Sequence, residues 1–463
     1  MREERIVVHP FEELKVEEYQ GFQQINEHTT VKISGQIPYE KKEDYMLNLG
    51  QEMWARVAAV TSERAETILM NGVVERIEMQ IIGRTCRMKL EIASGTVLMD
   101  CERKTRSFQN TSFLYSDILD VCDRQYDAAA RIMTAAKGES TGRFIMQYRE
   151  TDWNFIKRLA SMNHTVVVPD CRIHGEKYYF GLPEMDNKIS GDSMEYSACC
   201  DMEEYWYKKD CGLDVTPSDT ISYIWKSREI YHLGKCGVVD GQQLFIWKIE
   251  TKMKGSELYH TYYMRPKSGF QVPVWYNTGV SGASLSAVVR GVKEEKVQME
   301  ILEDENKQDA GVYWFPYATV YSTQDGTGWY CMPEIDDKIR LYFPTEKEQD
   351  AYAASAYHDG GAGLRNMPER KFWRNKEGKE IQLAPDKILL TNNNGTYIEL
   401  SDANGVEIVS NGSVTLSAGG MLSISSRNST IEFSAAKRVK LTQGDTMMEL
   451  GGDLNLSGAQ IKL

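Results

Sequence analysis

The sequence lacks several features that define common protein classes. None of its 463 residues lie in an apolar run approaching the ~20 residues that a membrane-spanning helix needs. No apolar segment follows the first five residues, so we expect synthesis in the cytoplasm without a signal peptide. Basic residues are outnumbered by acidic ones, 54 to 67. The net charge of −13 at pH 7 argues against nucleic acid or anionic lipid as a partner.

Common catalytic signatures are missing as well. The chain contains neither Gly-x-Ser-x-Gly nor His-Glu-x-x-His. Its nine cysteines are odd in number and scattered, which predicts free or buried thiols rather than a disulfide framework. The carboxylate clusters at residues 203–204 and 303–305 have no glycosidase-like context and are interpreted as solvated surface charges. We therefore expect a protein without enzyme activity and without a cofactor.

One arrangement of cysteine and histidine has metal-like spacing. Cys171 and His174 form a Cys-x-x-His pair, and His232 and Cys236 form a His-x-x-x-Cys pair. The two pairs are separated by 57 residues, and such pairs often arise by chance. We interpret them as buried thiols and ordinary histidines, with a zinc site as the alternative.

Alternating apolar residues predict a strand-rich region over residues 1–280, together with a few helices. A helix is expected over 115–136, where Ser116 is a candidate cap and alanines follow at 128–130. A second helix begins at Thr151 or Asp152 and has an apolar stripe of Trp153, Ile156, Leu159 and Ala160. Half-buried strands are predicted at 31–35, 76–81 and 88–92.

The following segments differ in character from the first 280 residues. Residues 281–346 contain short alternating strands separated by charged or glycine-containing loops, which is typical of a small closed or partly open β-barrel. Residues 347–380, which include Asp359-Gly360-Gly361-Ala362-Gly363, are interpreted as a linker.

The C-terminal part of the chain repeats an apolar–x–apolar triplet with a spacing of about eight residues. Turn-forming residues such as Asn411-Gly412 and Gly419-Gly420 separate the triplets, so the pattern predicts short strands in a β-helix or related solenoid. The triplets are Ile398/Leu400, Val406/Ile408, Val414/Leu416, Leu422/Ile424, Ile431/Phe433, Val439/Leu441, Met448/Leu450, Leu454/Leu456 and Ile461/Leu463.

Each repeat offers only about two inward-facing apolar side chains, too few for one chain to close a core around itself. Three copies wound around one axis would bury these residues and pair every strand edge. We therefore predict an intertwined trimeric β-helix, with a single-chain solenoid or a β-sandwich as alternatives. The predicted trimer core consists of Ile398, Leu400, Val406, Ile408, Val414, Leu416, Leu422 and Ile424.

Three sequence segments carry a resemblance to a known family. Residues 148–159, Tyr-Arg-Glu-Thr-Asp-Trp-Asn-Phe-Ile-Lys-Arg-Leu, resemble the "YRE-S/T-D-x-x-F-x-x-R-L" segment of VgrG spike proteins and their phage tail hub relatives. Residues 106–112 resemble the upstream "R-x-F-Q-x-x-S" element of the same group. Residues 332–343 resemble the end of the family's OB-fold, although Asp336 replaces the usual glycine before Asp337.

The resemblance implies a mainly β fold with some α. Its parts are a hub of two small β-barrels with helices at 1–280, an OB-fold collar at 281–346, the linker at 347–380 and a C-terminal intertwined triple-stranded β-helix at 381–463. It also implies a homotrimeric spike of a contractile injection system. This spike would cap the inner tube, organise the baseplate and puncture the target envelope. Within residues 148–159, Arg149 and Glu150 are candidates for ion pairs within or between subunits, and the alternative is that they only cap and satisfy the turn before the helix.

The resemblance further implies partners: the inner tube protein, baseplate proteins, a PAAR-type tip protein and effector cargo. The tip protein is expected to bind the terminal residues Gly458, Ile461, Lys462 and Leu463, by strand addition to the last turn. Two other functions stay open at this point. One is a cell-wall-degrading tail hub enzyme with an unrecognised active site, and the other is a trimeric adhesin or tail fibre.

Overall fold

The structure is a computed structural model that describes residues 4–47, 53–61, 65–183, 189–190, 195–358, 360, 363–457 and 460. The chain is mainly β and divides into two compact units, Met1–His358 and Asp359–Leu463. Within the described ranges, no helix has both the length and the apolar character needed to cross a membrane. Each unit is described separately below.

The first unit contains strands β1–β22 and helices α1–α4. The strands are β1 Glu4–His9, β2 Lys15–Gln24, β3 Thr30–Ile37, β4 Trp54–Thr61, β5 Glu66–Ile82, β6 Thr85–Ser94, β7 Arg103–Phe108, β8 Ala130–Met133, β9 Ile145–Thr151, β10 Val167–Pro169, β11 Lys177–Phe180, β12 Ile189–Ser190, β13 Tyr196–Cys200, β14 Ile221–Ser227, β15 Cys236–Val239, β16 Gln242–Lys254, β17 Glu257–Arg265, β18 Ser284–Lys293, β19 Lys296–Ile301, β20 Phe315–Pro316, β21 Lys338–Tyr342 and β22 Tyr352–Ala354. The helices are α1 Lys42–Leu47, α2 Tyr115–Asp123, α3 Asp152–Ser161 and α4 Met202–Asp210. Short 3₁₀ turns in this unit include Gly95–Asp100, Lys307–Ala310 and Glu348–Asp350.

The largest sheet has twelve strands, ordered β1-β4-β5-β6-β3-β2-β16-β17-β14-β13, with β15 joining β12 to β16. Its sequence alternation translates directly into burial. In β6, Cys86, Met88, Leu90 and Ile92 are buried, whereas most residues between them face solvent or are half-buried. The strands predicted at 31–35, 76–81 and 88–92 are thereby confirmed, as parts of β3, β5 and β6.

Helix α3 confirms the second predicted helix. The Thr151 side chain caps it by accepting a hydrogen bond from the backbone N–H of Asn154 at 3.4 Å. The predicted stripe is buried in a core that α3 shares with α2. Strands β7 and β9 pair antiparallel immediately before α3, so residues 106–108 lie opposite residues 145–147, next to the start of the 148–159 motif.

The prediction of one helix over 115–136 is wrong. Helix α2 ends at Asp123, and Ala130 begins β8. The intrinsic helix propensity of the alanines is overridden by tertiary contacts, because Arg131 in β8 forms ion pairs with Asp120 and Asp123 of α2. Parallel pairing of β8 with β11 then fixes this segment as a strand.

A separate five-stranded sheet has the order β20-β19-β18-β21-β22. Its core includes Leu285, Val289, Val297 and Leu341, which are all buried. The final strand β22 lies inside the segment interpreted as a linker, so the sheet continues past residue 346. Asp336 has a φ of 70°, a left-handed conformation that glycine adopts without strain and aspartate tolerates.

The second unit contains two small antiparallel sheets. Strands β23 Lys371–Arg374, β24 Glu380–Ala384, β25 Lys387–Thr391, β26 Tyr397–Ser401 and β27 Gly405–Val409 pair in chain order. Strands β28 Val439–Gln443, β29 Thr446–Leu450 and β30 Leu454–Ser457 form the other sheet. Most of the predicted triplets outside 410–438 coincide with these strands. The domain boundaries at 280, 346 and 380 stay predictions, and β23 lies within the predicted linker.

Candidate functional site

A buried ion pair joins the two family-like motifs of the first unit. Arg106 Nη1 donates to Asp152 Oδ1 at 2.7 Å, and the two side chains are 1% and 0% exposed. Gln147 Nε2 donates to the same carboxylate oxygen at 2.9 Å, and the Tyr126 hydroxyl donates to Asp152 Oδ2 at 2.9 Å. Asp152 is also the first residue of α3, where the helix dipole favours a negative charge. The carboxylate is therefore fully engaged in holding β7, β9 and α3 together.

A second buried cluster is centred on Arg158 of α3. Its Nε lies 3.1 Å from both Oε1 and Oε2 of Glu150, and its Nη2 donates to the carbonyl oxygen of Met146 at 2.8 Å. Its Nη1 pairs with Glu348, whose side chain is 3% exposed. Burial opposes the guanidinium charge, but Glu150 and Glu348 outweigh that effect and raise the pKa of Arg158. The cluster ties α3 to the connection between β21 and β22 of the five-stranded sheet.

Arg149 and Glu150 do not pair with each other within the chain, and pairing between subunits stays a prediction. Glu150 is engaged by Arg158, whereas Arg149 has a φ of 46° and lies with its guanidinium 5.2 Å from the Tyr148 ring centroid. The left-handed backbone turns the Arg149 side chain outward, away from the buried cluster. A strained non-glycine residue of this kind persists only where surrounding contacts fix it.

A buried carboxylate connects the motif at residues 106–112 to the five-stranded sheet. Asp304 Oδ1 accepts hydrogen bonds from the backbone N–H groups of Ser107 at 3.0 Å and Asn306 at 2.9 Å. Burial raises the pKa of Asp304, and the hydrogen bonds from Ser107 partly offset that shift. The interpretation of residues 303–305 as solvated charges is therefore wrong for Asp304, which is 2% exposed. Glu204 of the other cluster is also engaged, with Lys208 and Arg265.

The cysteine and histidine pairs do not converge. Cys171 is buried with its Sγ 3.7 Å from the carbonyl oxygen of Leu69, and the His174 ring lies 4.0 Å from the ring of Trp54, centroid to centroid. Burial lowers the pKa of His232 to about 4. Cys236 is buried in β15. In the part of the chain that the structure describes, no group of three or more His, Cys, Asp or Glu residues is placed to hold a metal ion.

The second unit exposes a continuous apolar surface, here called the apolar face. Direct cross-strand partners place its eight residues in two rows across β24–β27. Each of these residues is between 37% and 68% exposed in the single chain. The first row is Ile381, Leu390, Ile398 and Ile408, and the second row is Leu383, Ile388, Leu400 and Val406.

The opposite face of the same sheet is the polar one, yet it is better covered. Glu380 is 4% exposed and pairs with Arg370 at 3.1 Å and Arg374 at 3.5 Å. Asn393 Nδ2 donates to the same carboxylate at 3.0 Å, and Gln382 beside it is 5% exposed. Within one chain the sheet is thus inverted, with polar side chains inside and apolar side chains in solvent. Large exposed apolar patches mark interaction surfaces.

Sequence reasoning identified half of the apolar face. Ile398, Leu400, Val406 and Ile408 were predicted to lie in a trimer core, but Ile381, Leu383, Ile388 and Leu390 were not. The missed residues form the same apolar–x–apolar triplets, at 381/383 and 388/390, so the pattern itself could have revealed them. The triplet at 381 lies seven residues before the one at 388, which lies ten residues before the one at 398. These spacings differ from the eight-residue repeat, so the two triplets do not fit that pattern.

The other predicted core residues lie between the two sheets. Within the described residues from 410 to 438, the chain forms no strand, and Val414, Leu416, Leu422 and Ile424 are each 57–65% exposed. Residues 410–438 therefore alternate apolar and polar side chains as strands do, but their described residues do not pair as strands within the chain. The predicted tip-binding residues Gly458, Ile461, Lys462 and Leu463 lie outside the described residues.

Comparison with known proteins supplies a family for part of the first unit. Residues 41–164 match the phage tail baseplate hub (GPD) family model. Both motifs, at 106–112 and 148–159, fall within this region, so the buried Arg106–Asp152 and Arg158–Glu150 pairs belong to it. No curated protein sequence matches the chain.

Solved structures share the fold over most of the chain. The Escherichia coli c3393 protein, a component of the type VI secretion system with structural similarity to the T4 bacteriophage tail proteins gp27 and gp5, has a TM-score of 0.55 at 12% identity, covering 76% of this chain and all of that one. The half-lidded Francisella PdpA–VgrG complex has a TM-score of 0.56 at 10% identity, covering 88% of each chain. Its lidless form has a TM-score of 0.54 at 10% identity, covering 88% of this chain and 98% of that one.

Identities this low establish a shared fold and nothing more. Residues 41–164 match the phage tail baseplate hub family, and the chain is similar in fold to VgrG proteins.

Proposed function

We propose that three copies of the chain form the spike and hub of a contractile injection system. The carrying observation is the apolar face, which one chain leaves in solvent while it covers the polar side of the same sheet. Three copies arranged around an axis would turn the eight apolar residues inward. The exposed triplets at Val414, Leu416, Leu422 and Ile424 would continue this core and would gain strand partners from neighbouring copies.

The expected gain from covering the apolar face is large enough to drive association. Fully burying a Val, Leu or Ile side chain is worth about 1.5–3 kcal/mol. The eight residues retain about half of their exposure on average, so each contributes roughly 1 kcal/mol and the face about 8 kcal/mol per chain. This figure is an upper bound, because association also restricts the motion of the chains.

The first unit supplies the proposed platform. Its two motifs are held by buried ion pairs, which define a single arrangement for β7, β9 and α3. We propose that the hub at 1–280 contains two barrel modules, that 281–346 forms an OB-fold collar, and that 381–463 forms the needle. In this role the trimer caps the inner tube, contacts baseplate proteins and leads the tube through the target envelope.

We further propose that a PAAR-type protein covers the end of the needle, at Gly458 and residues 461–463. The support is physical, since strand ends and apolar side chains at the end of a β-helix need a cover. The function is structural rather than enzymatic, because neither motif contains a constellation of catalytic groups. Effector cargo would be carried by the same trimer.

The proposal is tested by reconstitution with the tube protein of the same injection system. Purified chain and tube protein should form tubes that carry the chain at one end only, as counted by gold labelling in electron micrographs. A variant with Arg158→Met and Glu348→Leu tests whether the platform is needed, and Leu400→Asp tests the trimer. Chain distributed along the tube, or absent from its ends, would contradict tube capping. Cleavage of peptidoglycan by the purified chain would favour the enzymatic alternative.

A further inference from the structure

We propose that a cleft in the first unit binds a neutral oligosaccharide. The cleft has a volume of about 470 Å³ and lies between the loop that connects β20 to β21 and the turn that connects β18 to β19. Tyr317, Tyr321, Trp329 and Tyr330 contribute its aromatic side chains, and Glu295 contributes a carboxylate. Its size falls in the range of small-ligand sites, which combine apolar walls with a few polar groups.

The loop that forms the cleft is held in one conformation by its own hydrogen bonds. The backbone N–H of Trp329 donates to the carbonyl oxygen of Tyr321 at 2.8 Å, and the backbone N–H of Thr323 donates to the carbonyl oxygen of Thr327 at 2.9 Å. The Thr319 hydroxyl donates to the carbonyl oxygen of Trp329 at 2.7 Å. The Tyr330 hydroxyl reaches the turn across the cleft and donates to a backbone carbonyl there at 3.1 Å. The cleft is therefore formed before any ligand binds, which lowers the entropic cost of binding.

The aromatic side chains of this loop remain accessible. Tyr321 is 52% exposed, Trp329 is 59% exposed and Tyr330 is 69% exposed. Folding gains little from placing three large rings in solvent, since each would bury 150–250 Å² in a core. Solvent-facing rings on a hydrogen-bonded loop suit a ligand with an apolar face, as in the stacking platforms that proteins use for nucleobases.

The charges around the cleft select against anions. Among the residues that line it, Glu295 is the one with an ionisable carboxylate, and none is a lysine, arginine or histidine. Asp325 at the tip of the loop adds negative charge, because hydrogen bonds from Thr323 and Thr327 lower the pKa of its carboxyl to about 2. Phosphate-bearing ligands, including nucleic acids, are disfavoured by this field.

A neutral sugar chain fits these features. The C–H faces of a pyranose ring are apolar and pack on aromatic rings, while its hydroxyl groups can donate to the Glu295 carboxylate and to backbone carbonyls of the loop. A concave cleft with aromatic walls and a few polar groups is typical of small-ligand sites. The inference is independent of the trimeric spike, since it concerns binding by the first unit alone.

The test is a titration of the purified full-length chain with three neutral oligosaccharides and one anionic one. The neutral probes are chitotetraose, cellotetraose and maltotetraose, and the anionic probe is tetragalacturonate. Binding is measured by calorimetry and by the ligand's NMR saturation transfer. We expect at least one neutral probe to bind and the anionic probe to bind more weakly.

Three variants locate the binding site. Trp329→Ala should weaken binding by about tenfold or more, which is about 1.4 kcal/mol, and leaves the backbone hydrogen bonds of the loop in place. Glu295→Gln should weaken binding severalfold. Trp206→Ala is the control, because Trp206 is 62% exposed on α4, away from the residues that line the cleft.

Three results would overturn the proposal. The first is that no neutral probe binds at millimolar concentration. The second is that Trp329→Ala binds as tightly as the parent chain. The third is that Trp329→Ala changes the mass of the assembly while no sugar binds, which would make the cleft a contact between protein chains.

Discussion

The Arg106–Asp152 ion pair allows a quantitative test of how the two motifs stabilise the first unit. Asp152→Asn keeps the size of the side chain but removes its charge, and it replaces one carboxylate oxygen by an NH2 group that must face either Arg106 and Gln147 or Tyr126. The guanidinium of Arg106 is 1% exposed, and its Nη2 already has no hydrogen-bond partner among the described residues. Removing one member of a buried pair costs about 3–5 kcal/mol, because the other charge is left buried without compensation.

The assay is thermal unfolding of the full-length chain, followed by scanning calorimetry. One kcal/mol shifts the midpoint by about 2–4 °C in domains of 150–250 residues, and by less in larger ones. For the larger first unit we expect Asp152→Asn to lower the midpoint by roughly 4–7 °C. Asp127→Asn is the matched control, because Asp127 is exposed, and it should shift the midpoint by no more than about 1 °C.

A companion variant separates charge from packing. Arg106→Met combined with Asp152→Leu removes both charges, and such replacements of a whole buried pair are often neutral or stabilising. It should therefore recover much of the loss seen in Asp152→Asn. A midpoint for Asp152→Asn within 2 °C of the parent chain would refute the reasoning, as would a double variant that unfolds earlier than the single one.

Three further predictions concern the needle, the tip and the response to pH. Val414→Asp and Leu416→Asp should each dissociate the trimer in light scattering, because three carboxylates would meet in a dry layer; two heat-stable trimers would contradict the inward triplet. Deleting 458–463 should abolish co-purification with a PAAR-type partner, and undiminished binding would exclude this docking site. Burial lowers the pKa of His260 to about 4, below the unfolded value near 6.5. The unfolded chain therefore takes up the proton first, so His260 should contribute a loss of stability of up to about 3 kcal/mol between pH 6.5 and 4, in addition to the loss from His232. Calorimetry should show a smaller fall in His260→Gln.

The sequence predicts the regular parts of this fold well. Strand alternation in β6 and the apolar stripe of α3 each depend on one face meeting one core, so the local pattern determines the outcome. The resemblance at residues 106–112 and 148–159 is likewise confirmed by the match to the baseplate hub family. The sequence motifs do not indicate which charged residues pair with each other. One partner of Arg158 is Glu348, which lies 190 residues further along the chain.

The errors share a physical origin in contacts between distant segments. Helix α2 stops at Asp123 because Arg131 in a following strand pairs with its acidic residues, a contact that helix propensity does not reveal. The local sequence of Asp304 suggests a surface charge. In the structure its carboxylate is buried and accepts a hydrogen bond from the backbone N–H of Ser107. The burial of a carboxylate depends on donors that come from elsewhere in the chain, so composition alone misjudges it.

The most direct test of the central claim is the mass of the purified full-length chain in solution. If three chains cover the apolar face together, native mass spectrometry and light scattering should give three times 52.8 kDa, or 158.4 kDa, at micromolar concentration. Leu400→Asp, placed in the second row of the face, should shift this species toward the monomer, whereas Asp402→Asn in the adjacent turn should not. A stable species of 52.8 kDa for the parent chain would contradict the trimeric spike.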